Sequence, residues 1–157
     1  MRRIFRYLFI VLLLAFIVLQ FFQPEKNSTK AGSNHIFNQE EVPEHIQTIL
    51  TTSCFDCHSN NTNYLWYHHI APVSWLINNH IEEGKSDLNF SEWEEMDVFD
   101  KITILEEICQ ETEQKKMPIE SYQKMHPKSK LTEEQIAELC DWTTKLAEET
   151  LVKAIGD

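Results

Sequence analysis

The 157-residue chain reads as an all-α protein, a helical domain preceded by an N-terminal transmembrane helix. Three observations predict this. Glycine and proline are scarce, with 3 and 5 residues, which favours helices over tight turns. After Pro43, apolar residues recur at helical rather than alternating spacing. Arg2, Arg3 and Arg6 precede an apolar run from Tyr7 to Phe22 that is broken only by Gln20.

Counted from Ile4, that run approaches the ~20 residues needed to cross a bilayer. It is apolar on every face, unlike the stripe of a helix packed on a core. Gln23-Pro24-Glu25-Lys26 is a poor cleavage context, so residues 1–22 are expected to be a retained single-pass anchor, although cleavage stays open. The arginines would remain in the cytoplasm and the rest of the chain would lie outside. Residues 23–40 are polar and read as a tether, with His35 solvated, and residues 41–157 as the domain proper.

The charge balance narrows the partners. With 14 basic and 25 acidic residues, the net charge is -11. This disfavours nucleic acid and anionic lipid, both of which need Lys/Arg clusters. It suits a basic protein partner, or serves solubility alone.

A helix is expected from Pro43, with Ile46, Ile49 and Leu50 on one face, running into Cys54-Phe55-Asp56-Cys57-His58. Two cysteines three apart followed at once by histidine form a c-type haem attachment pattern, in which each sulfur binds a vinyl carbon and His58 ligates the iron. A zinc site would need further N or S ligands, often as a second spaced pair, and Cys109 and Cys140 are far apart in sequence. A thioredoxin-like C-x-x-C would need a βαβ neighbourhood, and no strand pattern is present.

After a turn-rich loop, Ser59 to Asn63, large rings crowd Tyr64 to His69. Trp66, Tyr67 and, further on, Trp75 are candidates to pack a haem, though ordinary core packing explains any single ring equally. His68 and His69 read as surface or propionate neighbours. Pro72 opens a helix that Gly84 closes, and a carbonyl near Pro72 is a candidate acceptor for the His58 ring N–H.

Ser91-Glu92-Trp93-Glu94 reads as a capping box for a long helix with Trp93, Met96, Phe99, Ile102, Leu105, Ile108 and Cys109 on its apolar face. That helix stops before Met117-Pro118, where the proline holds Met117 extended. A thioether on a loop can serve as the second axial ligand, and Met/His ligation raises the iron potential. Met117 is the first candidate and His126 the next, with Met125 and Met96 behind. Thr132-Glu133-Glu134-Gln135 caps the last helix. Cys109 and Cys140 read equally as a disulfide or as two buried thiols.

In order along the chain, the sequence from about Ile36 to Trp142 resembles the bacterial haem-binding domain family. The carrying residues are Glu41-Val42-Pro43, Ser53-Cys54-Phe55-Asp56-Cys57-His58-Ser59-Asn60, Trp66-Tyr67, Ala71-Pro72-Val73-Ser74-Trp75 and Asn89-Phe90-Ser91-Glu92-Trp93. They continue in Met117-Pro118, Tyr122, His126-Pro127 and Leu131-Thr132. The resemblance implies a single-haem, cytochrome c-like helical bundle, with Cys54 and Cys57 carrying the haem, His58 proximal and Met117 distal. One departure stands out: where many small cytochromes c have a glycine on the first helix, this chain has Ile46, Ile49 and Leu50. These readings lead to a bacterial, membrane-anchored carrier of one covalent haem c and its iron, with the domain on the periplasmic side. It would exchange single electrons with a basic redox partner. It is not expected to be an enzyme. The alternatives are a peroxidase, or a haem-based sensor with a displaceable distal ligand.

Overall fold

In the computed structural model, which describes residues 1–30 and 32–156, the chain is built from eight α-helices with short 3₁₀ turns between them and no strand among those residues. Ala31, inside the expected tether, and Asp157 lie outside the described residues. The all-α expectation holds, with 71% of the chain helical.

The membrane helix does not. Helix α1 (Arg2–Leu19) has 18 residues, and no helix among the described residues is long and apolar enough to cross a membrane. At 1.5 Å per residue it spans ~27 Å against a hydrocarbon core of ~30 Å. Three arginines occupy its first five positions, which shortens the apolar part further. Past Leu19 the run is pulled onto the domain. The Gln20 side chain donates to Ala71 O at 3.1 Å and accepts from Ala71 N at 3.0 Å. Trp75 Nε1 donates to Phe22 O at 2.6 Å. The single-pass anchor, and with it the assignment to the outer side of a bacterial membrane, is therefore withdrawn.

The polar stretch after it is not a free tether either. Asn27 donates to Ser59 O and Thr62 Oγ1, and Ser28 pairs with Asn61 as an isolated β-bridge. His35, expected in solvent, is 6% exposed and caps the short helix α2 (Ile36–Gln39), its Nδ1 accepting from Phe37 N at 3.2 Å. Ile36 is fully buried in the core. Polar composition suggested solvation, but the Asn27 amide is spent on the Ser59–Thr62 loop and the His35 imidazole on a neighbouring backbone N–H.

Helix α3 (Glu44–Ser53) buries Ile46, Ile49 and Leu50 as its spacing requires, and the one-turn helix α4 (Phe55–His58) follows after Cys54. Helix α5 (Val73–Asp87) does not stop at Gly84, which lies buried inside it. The proposed cap at Ser91 is also displaced. A 3₁₀ turn covers Phe90–Glu95 with Asn89 as its cap, and the long helix α6 (Val98–Glu113) begins later, capped by Asp97. Ser91 is buried instead, accepting from Asn60 N at 3.0 Å.

Helix α6 ends in a Schellman arrangement. Lys116 N reaches Glu111 O at 3.0 Å and Lys115 N reaches Thr112 O at 3.0 Å. Lys115 takes the left-handed position that usually goes to glycine, at φ 57°. This turn launches Met117, which precedes helix α7 (Glu120–Met125). Helix α8 (Glu133–Gly156) opens on the expected capping box, Thr132 N to Gln135 Oε1 at 3.0 Å and Gln135 N to Thr132 Oγ1 at 3.2 Å. Helices α6 and α8 pack along one another, joined by a Cys109–Cys140 disulfide. The core gathers α3, α8 and the Leu88–Trp93 stretch around Leu50, Phe90, Trp93, Leu105 and Leu139.

Candidate cofactor site

Helix α3 delivers the site. Its last residue, Ser53, is buried and donates from Oγ to Ser129 O at 3.0 Å, fixing the helix end against the chain before α8. Cys54 breaks the helix at φ -121°, ψ -44°, and the single turn of α4 closes on it, with His58 N to Cys54 O at 2.9 Å. Cys54 and Cys57 are both free and half-buried.

His58 is aimed by α5. The chain leaves that helix at Leu88, whose carbonyl takes the His58 Nδ1 proton at 3.1 Å. A carbonyl only accepts, so Nδ1 carries the hydrogen and Nε2 keeps its lone pair. The acceptor is thus Leu88 and not a carbonyl near Pro72. Burial lowers the His58 pKa, opposed by the Leu88 and Gly84 backbone carbonyls. The ring is therefore neutral at pH 7, the state in which imidazole ligates metal.

Gly84 permits this geometry. A Cβ there would stand 3.0 Å from Cys57 O and 3.2 Å from Cys57 Cβ, so α5 meets the attachment turn backbone to backbone. A lone glycine inside a helical pattern is a signal of such an approach. The Leu88 carbonyl has no signal in sequence.

The opposite side of α4 is tied down through Asp56. Its two carboxylate oxygens accept from Asn63 N at 2.9 Å and Tyr122 Oη at 2.8 Å. Phe55 enters an aromatic cluster with His35, Phe37 and Phe90 at centroid distances of 5.0 to 5.2 Å. The motif's two variable residues are thus anchors, while Cys54, Cys57 and His58 together line a separate cavity.

Two adjoining cavities share Cys54, His58, Asp87 and Met117. One of about 120 Å³ adds Cys57 and His80. The other, about 410 Å³, is walled by Leu88, Phe90, Ile104 and Ile108. The larger is within the usual range for a cofactor pocket, apolar with a few polar groups. Asp87, Glu107 and Glu111 also line it, and no lysine or arginine does. A larger cavity of about 1020 Å³ borders Phe55 and Asp56 but touches neither cysteine nor His58, so chemistry and not size selects the site.

Burial pushes the Cys54 thiol up to about 12, with Cys57 adding to it, and burial followed by the Asp56 charge pushes Cys57 up to about 11. Both are S–H at neutral pH. The donor set of two free thiols on one turn, a neutral imidazole with an open Nε2, and a methionine bordering the same cavities fits a thioether-linked haem.

The other expected residues separate. Tyr67 borders a cavity of about 300 Å³ on the far side of Cys57, with His68 and His126. His126 has both ring nitrogens engaged, Nδ1 with Tyr122 O at 3.1 Å and Nε2 with Tyr67 Oη at 3.3 Å. It lines neither cavity that holds His58. Trp66 is 74% exposed and Trp75 is turned to Phe22. Neither lines the two cavities that hold His58. His80, which the sequence reading passed over, lines the smaller cavity with Cys57, His58 and Met117. It lies four residues before Gly84, on the α5 face turned to the motif.

A family model described as Haem-binding domain matches residues 14–145. No curated protein matched the chain, and no solved structure did.

Proposed function

The chain belongs to the haem-binding domain family and binds haem. From that premise we propose that it carries one haem c covalently and works as a one-electron carrier. Cys54 and Cys57 are the residues to hold the group through thioethers. His58, through Nε2, and Met117, through Sδ, are the residues that would hold the iron. The observation that carries this reading is the sharing of two cavities by Cys54, His58 and Met117, with the His58 ring already oriented by Leu88.

Bound there, the haem supplies an iron centre that gains and loses one electron. The protein's own groups hold that centre. Each thioether consumes one S–H, and burial keeps both cysteines in that form. The Leu88 carbonyl fixes the imidazole tautomer and raises its basicity. Leu88, Phe90, Ile104 and Ile108 exclude water from one side. With His58 and Met117 both holding the iron, no coordination position would be left open, which would favour electron transfer over peroxidase or sensor chemistry. A peroxidase would need an acid or base such as His126 or Glu120, but the His126 ring is committed to Tyr67 and Tyr122 and Glu120 pairs with Lys124 at the surface. A net charge of -11 favours a basic redox partner.

The test of the distal ligand is the ferric spectrum of Met117→Ala beside His126→Ala. Loss of the Met–Fe(III) charge-transfer band in the first variant and its retention in the second is the expected result. An unchanged Met117→Ala spectrum refutes the assignment.

A further inference from the structure

Away from the attachment turn, a cavity of about 90 Å³ lies between the chain at Gln23–Lys26, the 3₁₀ turn carrying His68 and His69, and the start of α5. Ser74 lines it, is 3% exposed, and has the one buried side-chain oxygen or nitrogen without a hydrogen bond among the described residues. A buried hydroxyl without a partner is unfavourable, and in native proteins water or a ligand normally satisfies such a group. Asn78, one turn further along α5, lines the same cavity. His68 is 6% exposed and accepts from Leu65 N at Nδ1, 3.1 Å away. Its proton is therefore on Nε2, which makes that nitrogen a donor. Lys26 and Glu25 bring one charge of each sign.

Ser74, Asn78, His68 and Lys26 each offer the cavity a hydrogen-bond donor, beside the Glu25 carboxylate. At a share of ~30 Å³ per water-sized group, the volume takes three or four heavy atoms. We propose that the cavity binds a small oxyanion of nitrate or formate size, held by the Ser74 hydroxyl, the Asn78 amide and His68 Nε2–H, with Lys26 supplying the opposite charge. The site is independent of the haem reading, since none of Cys54, Cys57 and His58 lines it.

The experiment titrates sodium nitrate into the full chain, against sodium gluconate at equal ionic strength. It follows the Asn78 side-chain amide and the His68 ring N–H by NMR. Gluconate is too large for the cavity. The proposal expects saturable shifts with nitrate and none with gluconate. Ser74→Ala should weaken binding at least about threefold, and Asn78→Asp should abolish it. Circular dichroism checks that each variant folds, and Asn78→Asp decides if Ser74→Ala does not. Shifts that fail to saturate, that gluconate reproduces, that keep the wild-type midpoint in folded Ser74→Ala, or that persist at His68 in folded Asn78→Asp leave the cavity to water only and overturn the proposal.

Discussion

Replacing Gly84 by alanine sets two opposed effects against each other. Alanine inside a helix is favoured over glycine by about 1 kcal/mol. The new Cβ, however, would stand 3.0 Å from Cys57 O, 3.2 Å from Cys57 Cβ and 3.3 Å from Cys57 C. All three are backbone atoms or the first side-chain carbon of a proposed haem-bearing residue, so none can rotate away. Relief requires α4 to shift from α5 by a few tenths of an ångström. Overpacking of this kind costs about 1–3 kcal/mol, so the steric effect wins and the variant should lose up to about 2 kcal/mol. The shift also separates His58 from Leu88 O, now 3.1 Å away, and should alter the haem spectrum. Gly156 is the control, with nothing within 4 Å of its added Cβ; Gly156→Ala should be neutral or slightly stabilising. Urea denaturation of both variants, with absorption spectra of the haem-loaded proteins, makes the comparison. A Gly84→Ala protein more stable by about 1 kcal/mol with an unchanged spectrum refutes the close-contact argument.

Two further predictions concern the rest of the domain. Removing the Cys109–Cys140 disulfide as Cys109→Ser/Cys140→Ser opens a link of sequence separation 31, and loop-closure entropy puts the loss at about 3–4 kcal/mol. A urea midpoint within error of wild type contradicts it. The haem-free protein should also weaken in mild acid. Burial holds the His35 and His68 pKa values below 6.5, and each ring accepts a backbone N–H at Nδ1, which an imidazolium cannot do. Their contribution is complete above pH 6.5 and is lost as pH falls through 6.5 toward the folded values. Urea midpoints should drop between pH 7.5 and 5.5, less so in His35→Gln/His68→Gln; a flat profile refutes this.

Local signals were readable where they act locally. Ile46, Ile49 and Leu50 placed α3 because one apolar face has one helical solution. Thr132 and Gln135 placed the start of α8 because a capping box closes within four residues. Ser91 carries the same pattern but lost the cap to Asn89 and Asp97, because its hydroxyl was needed by Asn60. The chemistry of Cys54, Cys57 and His58 was legible as a motif. Its support was not, since Leu88 acts through its carbonyl and Gly84 through an absent side chain. Trp66 and Trp75 stand near the motif in sequence but line neither cavity that holds His58. The N-terminal run misled as well. Its length was counted in residues, whereas the helix ends at Leu19 and Gln20 is bound to Ala71.

The central claim is that haem is bonded to this chain through Cys54 and Cys57. Intact-mass spectrometry and a pyridine haemochrome spectrum of the full chain, produced together with haem-attachment machinery and purified under denaturing conditions, test it directly. The account predicts one haem per chain that survives denaturation and disappears in Cys54→Ser/Cys57→Ser. A colourless polypeptide of unmodified mass, or haem that washes away on unfolding, contradicts it.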